Sequence, residues 1–299
     1  MIRLGLCCIF RDQPIRFRRT TAKYLASLSR RDQLGRLSEI CLHNAQSLKK
    51  ALAFCWENGI GCFRINSQIL PLKTHPDAGY DMSDLPGGDE IIRLFKDCGS
   101  YAADHDIRTT FHPDQFIVLS SPDPGVVERS VADLGYQAGV AQWVGADVIN
   151  IHAGGVYGDK PAALDRLASR IAQLPDRIKS RLTLENDDRS YTPSDLLPLC
   201  QRLGIPLVYD VHHHRCLKDE LTITQATRLA LETWKREPLF HISSPKEGWG
   251  KGDERKHHDR IDLGDFPDAW KGLSVTVEVE AKAKEHAVLA LKSELQALS

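Results

Sequence analysis

The sequence predicts a single-domain α/β protein built as a (β/α)8 TIM barrel. Eight short apolar or β-branched segments alternate with eight helical stretches along 299 residues, an order that favours a parallel sheet. This length suits one barrel of about 250 residues with a few long loops. No repeat, low-complexity tract or flexible linker divides residues 1–299, so we expect one domain. A doubly wound open sheet is the alternative fold.

The predicted strands are runs of apolar and β-branched residues bounded by turn-forming residues. In chain order they cover Ile2–Ile9, Cys62–Asn66, Arg108–His112, Asp147–His152, Leu182–Glu185, Leu207–Asp210, Leu239–Ile242 and Ser274–Glu280.

The predicted helices are the longer stretches between these strands. Glycine after the first helix and proline at the first turn of the fifth are typical helix boundaries. The helices cover Gln33–Asn58, Asp89–Asp104, Pro124–Val144, Lys160–Leu174, Pro193–Leu203, Thr222–Arg236, a short turn at Phe266–Trp270 and a last stretch that ends at Leu298.

The composition is that of an ordinary soluble globular protein, with 42% hydrophobic and 26% charged residues. No apolar stretch approaches the roughly 20 residues that span a bilayer, and the start of the chain is typical of a strand rather than a signal peptide. We therefore expect a cytoplasmic protein without a membrane partner or an obligate protein partner.

The eight cysteines form no C-x-x-C pair, so neither a zinc ribbon nor a redox dithiol is predicted.

Six predicted strands end on a residue type that binds metal ions. Because parallel strands of a barrel end on one face, these side chains should share a pocket. Converging carboxylates repel each other unless cations lie between them, so we expect two or three divalent ions and an anionic substrate. Mixed imidazole and carboxylate ligands suit Zn, Mn, Fe or Co better than Mg. The six residues are His112, His152, Glu185, Asp210, His241 and Glu280.

Two basic clusters follow the first and the seventh predicted strands, at the same end of the barrel as the metal ligands. In that position they could contact phosphate groups, and solvated loops are the alternative interpretation. The clusters consist of Arg16, Arg18, Arg19 and Lys23, and of Lys246, Lys251, Arg255, Lys256 and Arg260.

Several motifs run in order through essentially the whole chain. They are Ile2-Arg-Leu-Gly5, Phe63-Arg-Ile-Asn-Ser67, Phe111-His-Pro-Asp-Gln-Phe116, Ile149-Asn-Ile-His-Ala-Gly-Gly155, Leu184-Glu-Asn-Asp-Asp188, Tyr209-Asp-Val-His-His-His214, His241-Ile-Ser-Ser-Pro245, His257-His-Asp-Arg-Ile261 and Glu280-Ala-Lys-Ala-Lys284. At these motifs the sequence resembles the UV damage endonucleases, a DNA repair family. The fifth motif together with the sixth is a specific signature.

The resemblance implies a barrel related to endonuclease IV with up to three metal ions, commonly Mn²⁺, with Zn²⁺, Fe²⁺ or Co²⁺ as alternatives. It implies that damaged double-stranded DNA is cut on the 5′ side of UV photoproducts and other lesions. By position, His112 and His152 would hold a first ion, and Glu185 would bridge it to a second. The remaining implied ligands are Asp210, His241 and Glu280 for the second ion, His213 and His257 for a third, and His75 near the first.

Catalytic roles would fall to Glu185, His213 and His257. Lys282 would share the strand face of Glu280 and neutralise phosphate charge, with a surface lysine as the alternative interpretation. The resemblance further implies that Gln115 and Phe116, after the third strand, insert into the duplex near the damage.

Two positions depart from the family pattern. Leu6 stands where the family commonly has a tyrosine, and Leu239 where it commonly has a lysine that is often carboxylated. These departures leave lesion range and rate open. A sugar isomerase or epimerase on a similar metal-binding barrel, and a damage-binding protein without turnover, are the alternative functions.

Overall fold

The strands form a closed parallel barrel, as the sequence predicts. The computed structural model describes residues 2–298. Its eight strands pair in chain order, and β8 closes the barrel by pairing with β1 from Ile2↔Val275 to Leu6↔Val279. The strands β1 to β8 are Ile2–Cys7, Cys62–Ile65, Arg108–Phe111, Val148–His152, Leu182–Glu185, Leu207–Asp210, Leu239–Ile242 and Val275–Val279.

The helices surround this barrel, and most begin and end within a few residues of the predicted positions. Three short helices, α1, α6 and α8, were not predicted. Short 3-10 turns occur at Met82–Asp84, Leu263–Asp265 and Asp268–Trp270. The helices α1 to α10 are Ala22–Leu25, Arg30–Glu57, Gly88–Asp104, Pro124–Val144, Lys160–Gln173, Asp176–Lys179, Pro193–Leu203, Val211–Cys216, Ile223–Glu232 and Glu285–Ala297.

Some predicted boundaries were wrong. β1 ends at Cys7 rather than Ile9, because Cys8 adopts a φ of 66° that breaks the extended backbone. β8 ends at Val279, so Glu280 follows the strand instead of ending it. No helix among residues 2–298 has the length and apolar character needed to cross a membrane. All eight cysteines are free thiols.

The strands bury their outward side chains under the helices and point their inward side chains into the barrel. Trp270 is a central residue of the outer layer, with no exposed surface. Its ring lies 5.2 Å from that of Phe240 and 5.6 Å from that of Phe266, and its indole N–H donates to the Thr227 hydroxyl at 3.0 Å. The short turns before β8 are thereby fixed against the barrel wall.

We predict that Trp270→Ala lowers the free energy of unfolding by about 3–5 kcal/mol, because it opens a large cavity and leaves the Thr227 hydroxyl without its donor. Urea denaturation followed by circular dichroism measures this loss. Trp56→Ala is the control, since 53% of that side chain is exposed, and its cost should stay near 1 kcal/mol or below, as for most surface substitutions. Equal losses in the two variants would contradict the assigned role of Trp270.

Candidate metal centre

The predicted ligand residues meet at the carboxyl end of the barrel. His152, Glu185 and Asp210 are the last residues of β4, β5 and β6. Strand pairing sets His152 beside Glu185, and Asp210 beside His241. His112 and Glu280 directly follow β3 and β8. The parallel direction of the strands therefore brings residues from widely separated segments to the carboxyl end of the barrel, which we call the mouth.

Three groups of side chains in the described residues are arranged so that each could hold a metal ion. Within each group the ligand atoms lie within 4.8 Å of one another. The groups are His112 with His152 and Glu185; His112 with His241 and Glu280; and Glu185 with Asp210 and His213.

Glu185 is the centre of this cluster and has no exposed surface. One of its oxygens, Oε2, lies 2.9 Å from His112 Nε2. The other, Oε1, lies 3.1 Å from His241 Nδ1 and 3.4 Å from His213 Nδ1. A carboxylate in this position can bridge two ions, as the resemblance implies for it.

The short helix α8 orients His213. Asp210 caps its N-terminus, with the backbone N–H of His213 donating to Asp210 Oδ1 at 2.7 Å. An aspartate is a favoured residue at such a cap, and the resulting helical turn brings the His213 ring back over Glu185. This helix was missed by the sequence analysis, although an Asp at the end of a strand was a usable signal.

Two buried polar atoms of the cluster have no hydrogen-bond partner among the described residues: His152 Nδ1 and Asp210 Oδ2. Buried polar atoms without partners cost free energy, so such atoms in a folded protein call for an explanation. A divalent cation bound by imidazole and carboxylate atoms would satisfy the unpaired oxygen of Asp210. The residues therefore fit the metal ions that the sequence predicts.

The electrostatics of the cluster point the same way. Burial raises the pKa of Glu185, but the imidazoles of His241, His152 and His112 together outweigh burial and hold that pKa well below its usual range. Burial lowers the pKa of His241, yet Glu185 raises it to about 10. Burial dominates at His152, whose pKa falls to about 4. The carboxylates thus demand positive charge within the cluster.

Arg64 and Glu278 also belong to the centre, and the sequence analysis missed both. The guanidinium of Arg64 donates from Nε to Glu278 Oε2 at 2.5 Å and from Nη1 to Glu280 Oε1 at 2.6 Å. Burial raises the pKa of Glu278, but Arg64 and then His241 bring it down to about 2. The alternation of Val-Thr-Val-Glu-Val-Glu280 was the signal that could have found Glu278, because it places both glutamates on one side of the strand.

The remaining predicted metal ligands differ in position. His257 lies beside the cluster, with its Nδ1 3.8 Å from Glu280 Oε2 and its ring 6.5 Å from that of His213. His75 is not in any of the three groups, and its Nδ1 accepts from the backbone N–H groups of Asp77 and Ala78.

Lys282 does not share a strand with Glu280, so that prediction was wrong. Because β8 ends at Val279, Lys282 lies in the following turn. It nevertheless lines a cavity of about 370 Å³ at the mouth, together with His257, Glu280 and Arg64. The turn therefore keeps Lys282 at the same cavity as Glu280 and His257.

The two departures from the family pattern are both buried. Leu6 is part of the hydrophobic core and has no exposed surface. Leu239 packs against Val148, Val208 and Trp234 inside the chain. Neither side chain reaches solvent, so neither is placed to contact a molecule at the mouth.

The predicted DNA-contacting residues lie in loops at the same end. Gln115 and Phe116 follow β3, and Phe116 is 74% exposed. The glycine turn after β4 supports their loop: Gly154 has a φ of 88°, and a side chain there would collide with Val118 and Ser120. The Phe116 ring is therefore exposed to solvent, on a loop that packs against the turn at Gly154.

The basic side chains of both clusters are mostly exposed. Arg16, Arg18 and Arg19 are all exposed, and the guanidinium of Arg16 donates to the carbonyl of Ile15 at 3.1 Å. In the loop after β7, the backbone N–H of Lys246 donates to the carbonyl of Lys256 at 2.6 Å, and Lys246, Lys256 and Arg260 are exposed. Asp265 anchors this loop by accepting from the Trp249 indole N–H at 2.7 Å.

Comparison with known proteins agrees with the sequence motifs. Residues 2–299 match the family model of UV-endonuclease UvdE. A UV DNA damage endonuclease of Bacillus velezensis is 34% identical over 291 residues, which cover 93% of this chain and 88% of that protein. The crystal structure of SacUVDE superposes with a TM-score of 0.88 at 28% identity, covering 100% of this chain and 99% of that one.

Two more distant structures share the fold. Endonuclease IV from Thermus thermophilus has a TM-score of 0.61 at 14% identity, with 99% of this chain and 98% of that chain covered. D-psicose 3-epimerase from Clostridium cellulolyticum has a TM-score of 0.60 at 14% identity, with 99% and 97% covered. The predicted architectural relation to endonuclease IV is confirmed, and at these identities the likeness concerns the fold.

We predict that Mn²⁺ raises the midpoint of thermal unfolding of the metal-free protein, because an ion that binds the folded state stabilises it. Glu185→Gln should weaken Mn²⁺ binding by at least about 100-fold, the upper range for loss of an outer-shell partner, since Glu185 belongs to two of the three groups. Calorimetric titration with Mn²⁺ measures the affinity of the unaltered protein and of Glu185→Gln.

The control is Glu237→Gln. Glu237 pairs with Arg3 at 2.9 Å, and Arg3 is the second residue of β1, at the end of the barrel opposite the cluster. This variant should bind Mn²⁺ like the unaltered protein. Unchanged binding in Glu185→Gln would refute the assigned centre.

Proposed function

Since this chain belongs to the UV-endonuclease UvdE family, we propose that it is a metal-dependent endonuclease that incises damaged double-stranded DNA on the 5′ side of UV photoproducts. Family membership indicates a DNA repair endonuclease, and the metal dependence and the cutting position are the parts that we propose. The observation that supports the metal dependence most strongly is the convergence of three potential ligand groups at Glu185 and its histidine neighbours, and the cutting position follows from the family resemblance. Other lesions are included in the proposal.

The proposed ligands divide among two or three ions, with Mn²⁺ as the preferred metal. When bound, such ions supply an activated water and stabilise the charge of a departing oxygen in phosphodiester hydrolysis. His112, His152 and Glu185 would hold the first ion, and Glu185, Asp210, His241 and Glu280 the second. His213 and His257 would contribute to a third. His75 keeps a weaker claim, because its Nδ1 already accepts backbone hydrogen bonds.

The chain's own cations would bind the phosphate backbone on both sides of the centre. Lys282, which lines the same cavity as Glu280, would contact a phosphate oxygen there. Arg18 and Arg19 lie in one loop, and Lys246, Lys256 and Arg260 in another. Contacts of this kind position a duplex without reading its sequence, which suits an enzyme that recognises damage.

Phe116 is the residue that we propose to open the base stack at the lesion, with Gln115 beside it. An exposed apolar side chain on a supported loop can insert between base steps at a cost of a few kcal/mol, which is least where the stack is already damaged. A packing role, in which Phe116 lies under its own loop, does not fit a ring that is 74% exposed.

We predict that the protein with Mn²⁺ nicks UV-irradiated plasmid and leaves undamaged plasmid largely intact. A chelator should abolish nicking, and Glu185→Gln should do the same at equal protein concentration. On an end-labelled duplex with one thymine dimer, the cut should map to the 5′ side of the dimer.

Intact irradiated plasmid with the metal-loaded protein would refute the proposal. Lesion-selective binding without any cut would instead favour a damage-binding protein. A screen of sugars for isomerisation tests the remaining alternative, and turnover there without nicking would favour it.

We further predict that Phe116→Ala lowers the ratio of nicking on irradiated over undamaged plasmid by about 10-fold, because the wedge no longer favours an already weakened stack. Mn²⁺ affinity should stay unchanged. Trp56→Ala is the matched control, as an exposed aromatic residue outside the loops of the mouth. A preserved ratio in Phe116→Ala would contradict the role of this ring.

A further inference from the structure

Glu278 is a buried carboxylate that belongs to none of the three potential ligand groups, although it lies directly against one of their histidines. It pairs with His241 in the register of β7 and β8. Its Oε2 lies 3.0 Å from His241 Nε2. Its Oε1 accepts from the Thr110 hydroxyl, and the Cys62 thiol approaches the same oxygen at 3.9 Å. Both oxygens of this carboxylate thus have donors in reach.

The two ring nitrogens of His241 face different surroundings. Nδ1 points to the cluster, 3.1 Å from Glu185 Oε1 and 3.5 Å from Glu280 Oε1. Nε2 points away from it, toward Glu278 and Arg64. If His241 binds a cation, it must therefore do so through Nδ1. The ring must then carry its remaining proton on Nε2, because a coordinating nitrogen offers its lone pair.

Glu278 is the group that can accept this proton. Arg64 also lies near, with its Nη2 3.0 Å from His241 Nε2, but a guanidinium has only donors. If Nε2 faced Arg64 alone, it would favour its unprotonated form. The ring proton would then be on Nδ1, and that nitrogen could not bind a metal ion. The carboxylate and the guanidinium therefore favour opposite tautomers of the same imidazole.

We propose that Glu278 is a positioning residue that holds His241 in the metal-binding tautomer and keeps Arg64 from imposing the other one. Carboxylates that accept from the distal nitrogen of a ligating histidine are a general feature of metal sites. This inference rests on the metal dependence in the proposed function. It assigns a role to a residue outside the predicted ligand set, and the role acts through His241.

The arrangement also explains how a buried arginine is tolerated next to the ligands. Arg64 is bound by Glu278 and Glu280 together, so its charge is paired and its guanidinium is fixed. Without Glu278, Arg64 would have Glu280 as its one remaining partner of the two. The guanidinium would then compete with a cation for the Glu280 carboxylate. Loss of Glu278 should therefore weaken both His241 and Glu280 as ligands of the same group.

The test compares Glu278→Met, Glu278→Gln and the double variant Arg64→Met with Glu278→Met. Competition between protein and a chelator for Zn²⁺ or Mn²⁺ measures affinity for each ion. We expect Glu278→Met to weaken one ion by about 10- to 100-fold, while ions held by the other groups bind as before. Glu278→Gln keeps an acceptor and should lose less. The double variant should recover affinity relative to Glu278→Met, because the opposing donor is gone.

A spectroscopic measurement adds a readout that a purely structural role would not change. With ¹⁵N-labelled histidine and Zn²⁺, the NMR signals of His241 should show a protonated Nε2 and a metal-bound Nδ1 in the unaltered protein. In Glu278→Met, the fraction of His241 in that state should fall at the same Zn²⁺ concentration. His241→Gln, in which this signal is missing, assigns it.

Glu237→Gln is the control, because it too removes a carboxylate paired with an arginine, Arg3, in the barrel. It should leave ion affinity and the His241 signal unchanged. Equal affinity of Glu278→Met and the unaltered protein, with Glu280→Gln clearly weakened, would overturn this inference and leave the proposed function standing. If the unaltered protein binds no ion, the metal-dependent function fails, and the inference fails with it.

Discussion

The main physical constraint on this structure is the negative charge that accumulates inside one closed sheet and must be compensated. Eight parallel strands bring Glu185, Asp210, Glu278 and Glu280 to the same end of the barrel. Arg64 compensates for one of these four charges, and the histidines between them are neutral when they act as ligands. Buried carboxylates without partners are expensive, so the barrel is stable with this sequence only if protons or cations enter the cluster.

Much of this arrangement could be predicted from the sequence, because strand ends in a parallel barrel are geometrically equivalent. A short apolar run closed by His, Asp or Glu predicts both a strand and an inward candidate ligand. His152, Glu185 and Asp210 were located in this way, and each lies where its segment predicted. The same logic located His241 and Glu280, although Glu280 lies just outside β8, since one extra residue leaves it at the mouth.

The rest depended on contacts that the chain order does not display. Helix α8 was missed because three successive histidines show no helical spacing, and its start depends on the cap formed by Asp210. Arg64 and Glu278 were missed because each is ordinary in its own strand. Their meaning arises only when β2, β7 and β8 are brought together. Lys282 was placed on a strand because the alternation continues past Val279, where the backbone already turns.

The fold alone does not separate a nuclease from a sugar epimerase, since structures of both kinds superpose on this chain with nearly equal TM-scores. The distinction between the two functions comes from the surroundings of the carboxyl end of the barrel. A small sugar requires a pocket that closes around it, whereas a duplex requires an open mouth with cations on its rim. Here the rim carries exposed lysines and arginines, and Phe116 projects into solvent. An exposed ring of this kind has no use in a closed sugar pocket, but it suits a surface that meets stacked bases.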